Sequence, residues 1–166
     1  MKNPKVAVLM GSASDLEVVA PCVKALEGFG IDVETRVISA HRTPDAAHDF
    51  AVNARKNGFE VIIGVAGKAA HLAGVLAAYT TLPVIGLPVG TKMMGGLDSL
   101  LSMVQMPKGV PVACVAVDGG DNAGILAAQI LGVKYPAIAE RLEKFKADQA
   151  KKIAEDDAAL QEKLGK

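Results

Sequence analysis

The chain has 166 residues, enough for one domain with a substantial buried core. Its 18 basic and 18 acidic residues cancel, and 4% aromatic residues with no Trp leave little stacking surface, so neither a basic excess nor base stacking marks it as a nucleic-acid binder. No apolar run is long enough to span a bilayer, no signal-peptide pattern is present, and Cys22 and Cys114 lack metal-ligand spacing; the expectation is a cytoplasmic protein with free thiols and no membrane partner.

In chain order, Lys5 to Met10 is a short apolar strand that breaks at Gly11-Ser12-Ala13-Ser14-Asp15. Leu16, Val19, Val23, Leu26 and Phe29 then recur at helical spacing, predicting a helix over 15–29 closed by Gly30, with Pro21 kinking or breaking it. A second unit follows: a strand over 32–38, the turn Ser39-Ala40-His41-Arg42-Thr43-Pro44, and a helix over about 44–57 with Thr43 as N-cap and Pro44 in its first position. The third pairs a strand over 60–65 with an alanine-rich helix near 70–79, across the loop Ala66-Gly67-Lys68-Ala69-Ala70-His71. Strands over 83–89 and 110–117 alternate with helices over 95–105 and 122–131. This rhythm of near-continuous apolar strands and helices predicts an α/β fold in three α/β/α layers with a parallel sheet covered on both faces.

The segment over 135–166 is charged and helix-favouring, with a thin stripe of Ile138, Leu142, Phe145, Ile153, Leu160 and Leu164. A helix of about 30 residues reaches roughly 45 Å, longer than the body of such a domain. The segment reads as an arm of the single domain 1–166, its 138–153 portion packing on another subunit and its last ten or so residues solvated.

Function concentrates in the loops at the strands' carboxyl ends, where parallel sheets bind ligands. His41 is the leading proton carrier, because an imidazole titrates near neutrality and this one stands among Ser39, Arg42 and Thr43. Arg42 offers a fork for phosphate or carboxylate, or else a surface salt bridge. Gly11, Ser12, Ser14 and Asp15 read either as a phosphate cradle before a helix or as simple helix caps, and Asp15 suits ribose hydroxyls. This loop is neither a P-loop nor a dinucleotide fingerprint. His71 is an anion donor or a packing residue, and His48 reads as inert. The three histidines lack metal-site spacing. Lys92-Met93-Met94 faintly suggests a biotinylation site, but Thr91 stands where Met is usual, and that reading is discounted.

Taken together, Gly11-Ser-x-Ser-Asp15, Ser39-Ala-His-Arg-Thr-Pro44, Ala69-Ala-His-Leu72, Leu97-Asp-Ser-Leu-Leu101, Gln105-Met-Pro-x-Gly109 and Asn122-Ala123 with Leu126-Ala-Ala-Gln-Ile-Leu131 resemble the N5-carboxyaminoimidazole ribonucleotide mutase family of purine biosynthesis. Each motif alone is weak; six in register over about 5–131 are specific. The resemblance implies a flavodoxin-like five-stranded sheet in the order 2-1-3-4-5. It also implies a rearrangement without cofactor or metal, in which a carboxylate leaves the exocyclic amine as CO2 and is recaptured at ring carbon 4, with His41 shuttling the proton. Matched residue by residue, Ser12, Ser14, Asp15 and Arg42, beside Gly11, would hold the ribose phosphate. Ser39, Ala40, Gly67, Ala70, His71 and Leu72 would line the base and carboxylate. The family implies a homo-octamer with sites near subunit boundaries, and functional pairing with the ATP-dependent enzyme that makes the labile substrate.

Two departures stand out. Where the family has a second Gly after Gly67, this chain has Lys68, a cation at the pocket rim or one pointing to solvent; Ala73 likewise stands where the family has Pro. The loop Asp118-Gly-Gly-Asp121 is shorter and more acidic than the family's, so contacts there are not carried over. The related carboxylase, which adds CO2 directly to aminoimidazole ribonucleotide, tends to read Ser-Ala-His-Lys and Ser-Asn at the corresponding loops. Arg42 and Ala69-Ala70-His71 favour the mutase. A non-catalytic nucleotide-binding module is the more distant alternative.

Overall fold

The computed structural model describes residues 3–165. Five strands, β1 (Lys5–Met10), β2 (Asp32–Val37), β3 (Phe59–Gly67), β4 (Val84–Val89) and β5 (Ala113–Cys114), form one sheet in the order β2-β1-β3-β4-β5, all paired in parallel. The helices are α1 (Leu16–Gly28), α2 (Pro44–Asn53), α3 (Leu72–Tyr79), α4 (Leu97–Val104), α5 (Gly120–Gly132) and α6 (Pro136–Lys163). The expected doubly wound α/β fold and its strand order are therefore the observed ones.

The apolar strands divide their side chains between two cores, because successive residues point to opposite faces. Val6, Val8, Met10, Val61, Ile63 and Val65 pack with Val19, Cys22 and Leu26 of α1, Ala123, Ala127 and Leu131 of α5 and Ile138 of α6. Ala7, Leu9 and Ile62 pack on the other face with Ala47 and Ala51 of α2, Leu72 and Leu76 of α3 and Met103 of α4. Truncating one of these fully buried side chains, such as Leu9, to Ala is worth about 2–5 kcal/mol. Small residues set the layer spacing: a Cβ at Gly64 would stand 2.8 Å from the Ala73 Cα, so β3 and α3 meet backbone to backbone.

Several elements differ from their sequence-based expectations. Helix α1 runs uninterrupted through Pro21. The lost hydrogen bond would have gone to the exposed first-turn residue Glu17, where water can satisfy the carbonyl, and Pro21 itself faces solvent. Leu16 is 57% exposed instead of buried, so the buried stripe is Val19, Cys22 and Leu26. Helix α2 ends at Asn53, short of 57, in turns leading to Gly58 at φ 84°. Strand β5 keeps only two residues of the expected eight, since Pro111 has no N–H to give a ladder at this sheet edge and Asp118 turns at φ 58°.

Helix α6 is the arm, 28 residues long. Its first half belongs to this domain: Ile138 is buried, Leu142 and Phe145 pack against the α1/α5 core, and the Phe145 ring meets Phe29 edge-on at 5.7 Å. The Arg141 guanidinium donates to the Phe29 carbonyl. Ile138, Leu142 and Phe145, the first three apolar residues of the 138–153 stretch, thus pack within this chain, and Ile153, Leu160 and Leu164 are the part of the stripe left exposed. Among the described residues, no helix is long and apolar enough to cross a membrane.

Candidate active site

The loops after β1, β2, β3 and β4 meet around a cavity of about 690 Å³ at the carboxyl edge of the sheet. The first loop is pinned by the Gly11 N–H, which donates to the Val65 carbonyl at 2.9 Å. Ser12 Oγ accepts from the Ser14 N–H at 3.3 Å and from Ser14 Oγ at 2.9 Å, and so caps the short 3-10 turn Ala13–Asp15 that precedes α1. Ser14 Oγ also lies 3.2 Å from Asp15 Oδ1. Capping and cavity lining coexist: Gly11, Ser12, Ser14 and Asp15 all border the cavity.

After β2, Thr43 was expected to cap α2, but its hydroxyl makes no capping hydrogen bond. It instead accepts from the Ser39 N–H at 3.0 Å and donates to the Ser39 carbonyl at 3.1 Å, closing the turn that carries His41 and Arg42. The Ser39–Thr43 clasp competes with capping for the Thr43 hydroxyl and fixes the turn that places His41 and Arg42 at the cavity. Arg42 Nη2 donates to the Gly11 carbonyl at 2.7 Å, and its Nε and backbone N–H both reach Ser39 Oγ. Among the described residues it has no carboxylate partner within 4.0 Å, which rules against the surface salt bridge and fastens the β2 loop onto the β1 loop.

The two rings that sequence reasoning kept apart are joined. His41 Nε2 lies 2.8 Å from His71 Nδ1, with ring centroids 4.9 Å apart and planes at 80°. One imidazole donates and the other accepts, so a proton is held between them. His71 is exposed at the cavity, not a buried packing residue, and its Nε2 is not engaged by this bond. The spacing of 30 residues gave no hint; only the strand order brings both loops together. His48 lies apart, with Nδ1 3.0 Å from Asp49 Oδ1 and its ring edge-on to Tyr79.

The β3 loop supplies Gly67, Lys68, His71 and Leu72 to the cavity. Lys68 adopts φ 61°, with its N–H donating to the fully buried Ser99 Oγ at 2.8 Å and its carbonyl accepting from Ser102 Oγ at 3.3 Å. This left-handed geometry explains why a glycine suits the position. Ala70 is the one expected lining residue that does not border the cavity: its side chain is fully buried in the α2/α3 core, because the turn at Lys68 points it inward. Ala40 borders it as expected.

Sequence reasoning missed Ala66, Ala69, Val89, Gly90 and Thr91, which complete the wall. Asp118 accepts from the Gly90 N–H at 2.7 Å, and Asp98 accepts from the Thr91 hydroxyl at 2.6 Å, so two carboxylates hold the end of β4. Position at the carboxyl end of a central strand was the available signal. Away from the cavity, burial and the nearby Asp121 carboxylate push the Cys22 thiol up to about 12, and burial raises Cys114, leaving both as inert thiols. No group of three or more His, Cys, Asp or Glu able to hold a metal occurs among the described residues.

Fold and site together define a flavodoxin-like α/β protein whose cavity is lined by a hydrogen-bonded histidine pair, Arg42, Lys68 and three serines. The chain belongs to the AIR carboxylase family, whose pattern matches residues 5–152. It is 57% identical over 145 residues to the N5-carboxyaminoimidazole ribonucleotide mutase of Pyrococcus abyssi, covering 87% of this chain and 83% of that protein. The mutase of Thermotoga maritima is 52% identical over 159 residues, covering 96% and 93%, and that of Mycobacterium tuberculosis 51% over 165 residues, covering 99% and 95%. The solved structure of Treponema denticola PurE superposes with a TM-score of 0.86 at 29% identity, covering 96% of this chain and 99% of the other.

Proposed function

We propose that this chain is an N5-carboxyaminoimidazole ribonucleotide mutase, an intramolecular transferase of purine biosynthesis that needs no cofactor. The observation that carries the reading is the hydrogen-bonded His41–His71 pair inside a cavity that also presents Arg42 and three serines. Relatives bearing that name at 51–57% identity support it.

The chemistry asks for one proton to be given and one to be taken. Protonating the exocyclic nitrogen as the N–C bond breaks releases CO2 and the amine. The electron-rich ring carbon 4 then attacks the retained CO2, and loss of the carbon-4 proton restores the aromatic ring as 4-carboxy-5-aminoimidazole ribonucleotide. The two transfers cancel, which suits a single imidazole near neutral pH. In this reading His41 is the acid and base, and His71 orients it. Arg42, Gly11, Ser12 and Ser14 hold the phosphate, and Asp15 the ribose hydroxyls. Ser39, Ala40, Gly67 and Leu72 shape the base site and the space that retains CO2.

The test compares two mixtures: the N5-carboxy nucleotide without bicarbonate, and aminoimidazole ribonucleotide with bicarbonate. Efficient product formation from the first, with the second needing very high bicarbonate, supports the mutase. Preference for the second makes the chain a carboxylase.

The same reading includes a cytoplasmic homo-octamer working beside the ATP-dependent enzyme that makes the substrate. Exposed Ile153, Leu160 and Leu164 on the arm support subunit contacts. Light scattering checks this: a monomeric mass at micromolar concentration contradicts it.

A further inference from the structure

We propose that Lys68 receives the substrate's carboxylate, so that the β3 loop, and not Arg42, distinguishes a carboxylated nucleotide from an uncarboxylated one. This deepens the mutase reading and rests on it. The substrate has two anionic ends, a phosphate and a carboxylate, and the described residues lining the cavity include two permanent cations, Arg42 and Lys68. Arg42 is committed to the β1 side, held by the Gly11 carbonyl and Ser39 Oγ among the hydroxyls of Ser12 and Ser14. Lys68 is exposed and, among the described residues, has no carboxylate within 4.0 Å. Each cation shares a loop with one imidazole of the bonded pair: Arg42 with His41, and Lys68 with His71. The reacting carbon and nitrogen need the imidazoles, so the two loops supply a cation for each end of the ligand.

The backbone supports the same assignment. Lys68 is held in a left-handed conformation that glycine adopts freely and lysine resists, and the fully buried Ser99 hydroxyl fixes it there. The non-glycine residues at positive φ among those described are Lys68, Met94 and Asp118, all in loops after β3, β4 and β5 on the cavity's edge of the sheet. Strain concentrated at one edge is a mark of a functional surface.

The test is calorimetric binding of 4-carboxy-5-aminoimidazole ribonucleotide and of 5-aminoimidazole ribonucleotide, which lacks the carboxylate, to the unaltered chain and to Lys68→Gly, Lys68→Ala and Lys68→Arg. The glycine variant relaxes the backbone and so melts no lower than the parent, which separates ligand effects from misfolding. The expected result is an affinity for the carboxylated nucleotide about tenfold lower in the Gly and Ala variants, the scale of one charge-assisted hydrogen bond, with affinity for the other nucleotide within about twofold of the parent. Lys68→Arg keeps the discrimination. Equal losses for both nucleotides, or none for either, overturn the inference and leave the mutase reading standing. An unaltered chain that binds neither nucleotide overturns both.

Discussion

His41 and His71 come from loops after β2 and β3, strands that flank β1 without touching each other, and their 2.8 Å hydrogen bond bridges the carboxyl end of β1. The pair thus depends on strand order: only a sheet with β1 between β2 and β3 sets the two loops one strand apart on either side of the Gly11–Asp15 loop. His41→Asn is expected to lower kcat by about 10²–10⁴-fold, the usual worth of a positioned acid and base, while nucleotide affinity changes little. His71→Phe removes the hydrogen bond but not the acid, and is expected to lower kcat less than His41→Asn does. Steady-state kinetics with parallel calorimetry checks both, and a His41→Asn enzyme that still turns over normally contradicts the assignment.

Arg42 joins two loops and lines the cavity. Arg42→Met should raise KM for the nucleotide about 10- to 100-fold with a smaller effect on kcat, because a bidentate charged contact to an anion is lost. Arg42→Lys should recover only part of this, since an ammonium cannot span both the Gly11 carbonyl and Ser39 Oγ.

At the amino end of β3, Tyr135 donates its hydroxyl to Glu60 Oε1 at 2.6 Å and Lys134 reaches Glu60 Oε2 at 2.8 Å. Burial pushes the Glu60 carboxyl up, but these two hydrogen bonds and the Lys134 charge outweigh it and hold the group below its ordinary value. A lowered carboxyl stabilises the fold fully above its unfolded value of about 4.3, and the contribution is lost as pH falls through the lower folded value. Lys134 is raised, first by its hydrogen bond to Glu60, so its share fades only as pH climbs through that raised value. Tyr135→Phe is expected to cost about 1–2 kcal/mol at neutral pH, with the gap to the parent closing below about pH 4. Urea unfolding across pH measures it.

Helices α1 and α5 approach through glycine. A Cβ at Gly124 would lie 2.7 Å from the Cys22 carbonyl oxygen and 2.9 Å from Ala25 Cβ, and one at Gly120 would strike the Val18 carbonyl. The two carbonyl oxygens are backbone atoms of a packed helix and the Ala25 Cβ is fixed to it, so the neighbour cannot rotate away. Gly124→Ala should therefore destabilise by about 1–3 kcal/mol despite its better helix propensity, as read from the denaturation midpoint.

The apolar strands and periodic helices were legible because burial on both faces leaves continuous runs such as Val6 to Met10 and Val61 to Val65. Boundaries were less so, as Pro111 and Asp118 shortened the last strand by constraints on donors and φ that periodicity does not register. In the site, His41, Arg42 and the serine loop could be read from residue type and position after a strand. His71's role could not, since it depends on a partner 30 residues away, and Ala70 looked like a lining residue until the turn at Lys68 buried it. The Ser39–Thr43 clasp was masked by an equally good capping pattern. The arm's narrow stripe suggested a partner over 138–153, and Ile138, Leu142 and Phe145 find cover within the chain, against α5 and Phe29.

The most direct test of the mutase reading follows the carboxylate itself. N5-carboxyaminoimidazole ribonucleotide labelled with carbon-13 in its carboxylate is converted in unlabelled bicarbonate buffer, and the product is analysed by mass spectrometry over a time much shorter than spontaneous decarboxylation. A site that retains CO2 between its release and recapture leaves the label in 4-carboxy-5-aminoimidazole ribonucleotide. Product carrying the buffer's unlabelled carbon would contradict the account and make the chain a carboxylase.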